Sequence, residues 1–368
     1  MKSKNYSKKI SKIFEKRGFI FLEPDVLLDS NYIIQRSGEN FKKLMLTFED
    51  DSGKNMCLRP DLTIASCVKH LEENTKGTSK IYYFGQAYRR PSNSKDSIIN
   101  DQLGLEIIGS EKKSSDDKEI LNTILKAINK IKIKKITVNV GDVSLFRQLI
   151  DSLKIPERWK LRLIRHFWRP KYFEDLLNRL ETNSDIDSVA IDFDKKRFSE
   201  MKKLNQKQEI AGRKISEILS RFDKKIRDPR SFAEGKKIAK IIREFLKINC
   251  PIDQMDKSLK NFLKKHNIKK NVIKNELPIK SLSKRGYKII FSTNFGRDIE
   301  YYTGMVFEIS TLKNKQEIAR GGRYDDLLKS LGSGRNISAV GAAINLNNLL
   351  GDMRWKMWSL LVYLAKED

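Results

Sequence analysis

Arg297-Asp298-Ile299-Glu300-Tyr301-Tyr302-Thr303-Gly304-Met305-Val306-Phe307-Glu308 is the stretch on which the fold turns. It restores a strand pattern, read over residues 301–309, to a chain that is nearly all helical in pattern over residues 143–275. Outward from it, strand signals also occupy residues 287–291, 316–319 and 340–344, all after Pro278. A chain that builds strands, breaks into lysine- and leucine-rich helices and then returns to strands is an α+β sheet domain interrupted by a helical insertion.

The earlier part of the chain supplies the rest of that sheet. Tyr6, Ile10, Ile13 and Phe14 have helical spacing and lead to Gly18, which predicts a helix with a glycine stop. Residues 19–22 predict a short extended piece ended by Pro24. Residues 43–49 and 55–58 predict a hairpin around Asp50-Asp51-Ser52-Gly53. Pro60 is expected in the first turn of a helix carrying Ile64, Cys67, Val68 and Leu71. Residues 81–84 and 103–108 predict two further strands, and residues 116–131 a helix with Ile120, Leu121, Ile124, Leu125, Ile128 and Ile131 on one face. Ile136, Val138 and Val140 alternate as a strand that ends at Gly141-Asp142. Within the helical stretch, Ser231 and Glu234 form a capping box ahead of Ile238, Ile241, Ile242 and Phe245.

Composition limits the function classes. The 368 residues are 39% hydrophobic and 33% charged, as in a globular protein with an ordinary core. Cys57, Cys67 and Cys250 form no CxxC pair, which argues for a reducing compartment. The start predicts an amphipathic helix rather than a signal peptide, and no apolar run reaches membrane-spanning length; a soluble, cytoplasmic protein with no membrane association is expected. The net charge of +27 would suit a polyanion, but lysines recur almost everywhere and are not gathered on one element with interleaved aromatics. Charge therefore decides little here.

Several common motifs are missing. There is no phosphate loop of the GxxxxGK[ST] kind and no GxGxxG after a strand. His70, His166 and His266 have no metal-ligand spacing, so no metal site and no cofactor are expected. Any phosphate or carboxylate must be held by arginines.

Four segments, in order, resemble the histidine branch of class II aminoacyl-tRNA synthetases. Phe21-Leu22-Glu23-Pro24 with Gly38-Glu39-Asn40-Phe41 resembles the dimer-forming first motif. Leu58-Arg59-Pro60-Asp61-Leu62-Thr63 resembles the loop that holds the amino acid's ammonium group. Tyr83-Phe84-Gly85-Gln86-Ala87-Tyr88-Arg89 with Gln102-Leu103-Gly104-Leu105-Glu106 resembles the second motif. The opening stretch resembles the signature peculiar to histidine recognition, which Gly321-Gly322-Arg323-Tyr324-Asp325 completes. The resemblance implies an antiparallel sheet flanked by helices. It divides the chain into a synthetase-like core at 1–142 and 280–350, a mainly helical insertion at 143–279 and a C-terminal tail at 351–368. It also implies a histidine pocket. In that pocket Arg297 pairs with the carboxylate, and Arg89 can also reach it. Asp61 and Thr63, aided by Gln102, take the ammonium. Glu106 accepts from the imidazole, and Tyr301 and Tyr302 supply a wall and a hydroxyl. Tyr324 belongs to the same pocket.

The chain also departs from a ligase. Where the third motif of the family reads Gly-Phe-Ala-x-Gly-x-Glu-Arg-Leu, this chain has Gly341-Ala342-Ala343-Ile344-Asn345-Leu346-Asn347-Asn348-Leu349. Asn348 stands in place of a nucleotide-gripping arginine, and loss of such a charge-assisted contact forfeits about 1.5–3 kcal/mol. Arg89 is followed by Arg90-Pro91 rather than by a glutamate, and residues 350–368 are too few for an anticodon-reading domain. This combination resembles the regulatory subunits of ATP phosphoribosyltransferase, in histidine biosynthesis. The resemblance implies a non-catalytic chain that dimerises and joins a short-form catalytic subunit, expected as a hetero-octamer. Such a chain activates the partner and mediates feedback inhibition by histidine, with no catalytic residue and no tRNA of its own. A minimal histidyl-tRNA synthetase is the competing expectation; a nucleic-acid-binding module rests on charge alone.

Overall fold

The computed structural model describes residues 2–31, 33–34, 42–73, 77–91, 97–133, 135–182, 188–204, 209–210, 213–226, 232–270, 272–273, 277, 287–297, 300–312 and 315–349. The expectations for Ser231, Pro278, the Gly38–Phe41 turn and the tail at 351–368 lie outside those residues.

In chain order, α1 (Lys2–Glu15) is followed by β1 (Ile20–Phe21), β2 (Leu27–Asp29), β3 (Leu46–Glu49), β4 (Asn55–Leu58), α2 (Leu62–Glu72), β5 (Ser79–Tyr88), β6 (Ile99–Ile108), α3 (Lys113–Lys130) and β7 (Ile136–Asp142). Helices α4 (Val143–Ser152), α5 (Glu157–Arg165), α6 (Pro170–Thr182) and α7 (Ser188–Lys202) come next, then the small pair β8 (Glu209–Ile210) and β9 (Arg213–Lys214), and helices α8 (Ile215–Ile226) and α9 (Phe232–Leu246). Then come β10 (Asn249–Pro251), α10 (Met255–Lys265), β11 (Lys288–Ser292), β12 (Met305–Thr311), β13 (Glu317–Arg323) and β14 (Ala339–Asn345).

Two compact units result. The first comprises Met1–Ser144, Asn249–Asp256 and Asn275–Asp368, and the second Leu145–Ile248 and Lys257–Lys274. The first holds a nine-stranded sheet in the order β1-β5-β6-β14-β13-β12-β7-β11-β10. Its six central strands, β5 to β7 in that order, are all antiparallel, whereas β1 with β5 and β7 with β11 pair in parallel. One face carries Leu105, Phe307, Ala319 and Ala342, and α1 and α3 neighbour this sheet. The apolar side of α3 (Ile120, Leu121, Ile124, Leu125, Ile128) is fully buried, each large side chain contributing about 1.5–3 kcal/mol. Arg323 ties α3 to β13: its Nε and Nη2 donate to Asp117 Oδ1 at 2.9 and 2.6 Å, and its Nη1 donates to Asp325 at 2.9 Å.

Three local differences from the sequence reading have physical causes. Helix α2 starts at Leu62, not at Pro60, because Asp61 is its N-cap: Asp61 Oδ1 accepts from the Ile64 N–H at 2.8 Å. The strand expected from residue 301 begins only at Met305; Tyr301 and Tyr302 pack instead against a buried cluster that includes Leu327, Leu328 and Tyr324. The helical stretch also contains short strands, and β10 pairs antiparallel with β11 at the sheet edge, where three residues are too few to give a periodic signal.

Among its described residues the regular structure of the second unit is helical apart from β8 and β9. Phe146 stacks on Phe167 with centroids 3.8 Å apart, and Phe173 meets both edge-on. Arg243 of α9 binds Glu174, Asn178 and Glu181 of α6 at 2.7–2.8 Å.

Candidate ligand-binding site

The other face of the first unit's sheet is shaped by small residues. Directly paired residues in neighbouring strands share a face, and so do residues two apart on one strand. Glu106 pairs with Gly341, which pairs in turn with Gly322; one step along, Tyr83 pairs with Gly104, which pairs with Ala343, and Ala343 pairs with Arg320. All of these therefore rise from one face. Gly341 has to be glycine: a Cβ there would lie 1.2 Å from Glu106 Oε2, so the glutamate side chain occupies the space above β14. Gly104 makes room in the same way, since a Cβ on it would come within 2.4 Å of the Tyr83 hydroxyl.

Glu106 is fully buried at the bottom of this depression. Its Oε1 accepts from the Tyr83 hydroxyl at 2.8 Å, its Oε2 accepts from the Tyr324 hydroxyl, and the Thr63 and Tyr83 hydroxyls are 3.1 Å apart. Burial pushes the carboxyl up to about 7, although the Tyr324, Tyr83 and Thr63 hydroxyls favour its charged form. Burial, with the nearby Glu106 charge, also raises Tyr83 and Tyr324 well above the usual phenol range, so both remain hydrogen donors.

Around this buried acid a cavity of about 210 Å³ opens, lined by Asp61, Thr63, Arg89, Gln102, Tyr301, Tyr302 and Tyr324 among others. Helix α2 presents Asp61 from its N-cap and Thr63 from its first turn. Burial raises the Asp61 carboxyl against the opposing charge of Arg89. Arg89 follows the end of β5 and is anchored by Nε, which donates to the Pro60 carbonyl at 2.6 Å. The Tyr301 and Tyr302 rings meet edge-on at 4.8 Å, and Tyr301 meets Tyr324 at 5.9 Å, giving an aromatic wall.

Of the nine residues expected from sequence, seven thus line one cavity, and Glu106 lies beneath it, bonded to Tyr324. Arg297 is placed differently. It is buried, its Nη1 donates to Asn294 at 2.6 Å, and it is not among the residues lining the cavity. Tyr83, Glu317, Arg320 and Asn345 escaped the sequence reading, yet Tyr83 supports Glu106 and the other three line the cavity. Strand alternation was the available signal: Arg320 stands two residues before Gly322, and Asn345 two after Ala343, on the same face. Among the described residues no group of three or more His, Cys, Asp or Glu side chains is placed to hold a metal, and no helix is long and apolar enough to cross a membrane.

The third-motif asparagines join structure to structure. Asn347 Nδ2 donates to the Ile99 carbonyl at 3.1 Å and its Oδ1 accepts from the Asp101 N–H at 3.1 Å. Asn348 Nδ2 donates to the Glu317 carbonyl at 2.8 Å. These side chains bind the end of β14 to β6 and β13.

The chain is similar to curated proteins and to solved structures. A curated ATP phosphoribosyltransferase regulatory subunit from Allorhizobium ampelinum is 27% identical over 354 residues, covering 91% of this chain and 94% of the relative. One from Rhizobium meliloti is 26% identical over 356 residues, covering 91% and 93%. Among solved structures, an ATP phosphoribosyltransferase regulatory subunit/histidyl-tRNA synthetase from Bacillus halodurans superposes with a TM-score of 0.62 at 17% identity, covering 95% of this chain and 78% of that one. A histidine–tRNA ligase subunit from Alicyclobacillus acidocaldarius gives 0.58 at 19% identity, covering 96% and 93%. The fold is therefore the class II synthetase-like one, with an antiparallel sheet core flanked by helices. The sequence model of the histidyl-tRNA synthetase family matches residues 1–349, and the chain belongs to that family.

Proposed function

We propose that this protein is a non-catalytic regulatory subunit of ATP phosphoribosyltransferase that binds histidine, activates a short-form catalytic subunit and mediates its feedback inhibition. The observation that carries the reading is the pairing of a retained amino-acid pocket with a third motif whose asparagines are engaged by backbone. Ionised Glu106 accepts from an imidazole N–H, its two oxygens already oriented by Tyr83 and Tyr324. Asp61 and Thr63, with Gln102, take the ammonium; Tyr301, Tyr302 and Tyr324 enclose the ring; Arg89 adds positive charge. Arg297, whose Nη1 is anchored on Asn294, pairs with the carboxylate. Asn348, uncharged and bonded to Glu317, offers no cation to a triphosphate. The relatives named as regulatory subunits, matched over about nine-tenths of the chain, favour the same role.

In this reading residues 1–142 and 280–350 form the synthetase-like core, 143–279 an insertion and 351–368 a tail. Phosphoribosyl transfer takes place on the partner, in a hetero-octamer in the cytoplasm, and no tRNA is bound. A self-dimer is also part of it: Ile20, Phe21, Val26 and Leu27 are exposed on and beside the segment resembling the dimer-forming motif.

Calorimetry with histidine and ATP separately, an ATP–pyrophosphate exchange assay, and transferase assays with a short catalytic subunit test the reading together. Histidine is expected to bind, exchange to be absent, and the transferase to be stimulated by this chain and inhibited by histidine, with a coupling of about 1–3 kcal/mol. Histidine-dependent exchange would instead establish a minimal histidyl-tRNA synthetase, the reading that the family match and the cavity position of Arg89 favour.

A further inference from the structure

We infer that Tyr83, which does not itself line the cavity, fixes the direction of the Thr63 hydroxyl and so makes the pocket select for a ligand that carries an ammonium group. This rests on the amino-acid-binding reading above and gives Tyr83 a part in specificity beyond its support of Glu106.

Each hydroxyl has one hydrogen to give, and an ionised carboxylate can only accept. Glu106 takes two such hydrogens, at Oε1 from Tyr83 at 2.8 Å and at Oε2 from Tyr324. Tyr83 has then spent its own. Across its 3.1 Å contact with Thr63 Oγ1 the Tyr83 oxygen therefore accepts, and Thr63 donates. The Thr63 hydroxyl also favours the charged form of Glu106, which draws its hydrogen in the same direction, away from the cavity. Thr63 lines that cavity and is left with only lone pairs to present there. A ligand group that meets them has to bring the hydrogen, and an ammonium brings three. A carboxylate at the same place would set oxygen against oxygen with no hydrogen between them.

Packing holds Tyr83 in this role. It is fully buried, and β6 leaves its ring room at Gly104, where a Cβ would collide with both the ring and the hydroxyl. Leu62 and Ala87 form a buried cluster with it, so the ring is packed against the first turn of α2, next to Thr63, as well as against β6. Burial and the Glu106 charge keep the phenol protonated, so it stays a donor to the carboxylate. In a buried chain of hydrogen bonds each bond polarises the next, and the Thr63 oxygen becomes a better acceptor because its hydrogen is engaged. Tyr83 is thus a positioning residue that acts on the ring end of the ligand through Glu106 and on the ammonium end through Thr63.

Calorimetry with L-histidine and with imidazolepropionate tests this. The analogue keeps the ring and the carboxylate and has hydrogen where histidine has its ammonium. Full-length wild type, Tyr83→Phe, Thr63→Val and the double variant are compared, each checked for cooperative unfolding. Wild type should bind histidine more tightly than the analogue. Tyr83→Phe should weaken both ligands through Glu106 and also cut the preference for histidine by roughly threefold to tenfold, the worth of one hydrogen bond. Thr63→Val has no hydroxyl to orient and should cut the preference at least as much; adding Tyr83→Phe to it should leave the remaining preference unchanged. The proposal is overturned if wild type binds the two ligands equally, if Tyr83→Phe leaves or raises the preference, or if it cuts the preference by the same factor with and without the Thr63 hydroxyl. Should Tyr83→Phe not fold, a wild-type preference in Thr63→Val overturns it equally, because the hydroxyl that Tyr83 orients would then not read the ammonium. A wild type that binds neither ligand removes the amino-acid reading itself, a pattern distinct from all of these.

Discussion

Glu106 shows at the scale of one residue what burying a carboxyl does to stability. A fully buried carboxyl that titrates near 7 rather than 4.5 keeps its proton in the folded protein over a range where the unfolded chain has released it. Its contribution to stability is therefore complete below about pH 4.5 and declines as pH rises towards 7. Glu106→Gln keeps the shape, stays neutral at every pH and can still accept from one tyrosine. Relative to wild type it should gain about 3 kcal/mol of unfolding free energy between pH 4.5 and pH 8. Urea unfolding at the two pH values measures this, and a constant difference would mean that the carboxyl titrates normally in the fold. The same variant should bind histidine weakly at both pH values, since a neutral amide is a poorer acceptor for the ring N–H.

At the scale of the element, β14 works by being small. Its Gly341 and Ala343 let side chains from β6 and β13 converge above a strand that adds almost nothing of its own. Gly341→Ala puts a methyl carbon where Glu106 Oε2 now sits, 1.2 Å away, and the strand backbone has little freedom to yield because both of its edges are paired. Glu106 must rotate out of its bonds with Tyr83 and Tyr324. Histidine affinity should fall at least tenfold, and calorimetry on the variant checks it; unchanged affinity would show that Glu106 reaches the ligand from another rotamer. Helix α2 illustrates the same economy, because Asp61 both caps its N-terminus and faces the cavity. One side chain thus caps the helix that carries Thr63 and lines the cavity.

At the scale of the whole molecule, every residue of the cavity belongs to the first compact unit and none to the second. A ligand that binds only the folded form stabilises by mass action, about 2.7 kcal/mol at a free concentration a hundred times Kd. Histidine at that concentration should slow amide hydrogen exchange in β5, β6, β13 and β14 and leave α5, α6 and α9 unchanged. Exchange followed by mass spectrometry reads both units in one experiment, and protection confined to the helices would place the ligand elsewhere. The +27 charge is a property of the whole chain too, whereas the cavity lining carries two acidic residues, Asp61 and Glu317, against two basic ones, Arg89 and Arg320.

The sequence by itself determined most of the order of strands and helices, the return of strand pattern after the helical stretch, and most of the residue types that the cavity gathers. Alternation and helical spacing record burial directly, so Ile136-Val138-Val140 and the apolar stripe of α3 were legible without coordinates. Tertiary structure alone decided which strands are neighbours. Sequence puts Glu106 and Gly341 far apart and gives no sign that they pair, or that Arg320 shares a face with both. It also moved Arg297 out of the lining and turned Tyr301 and Tyr302 from an expected strand into a wall. The reason is that local patterning reports only whether a side chain is inside, whereas a site depends on register between strands distant in the chain, and register is fixed only when the sheet closes and its small residues find the large ones they must accommodate.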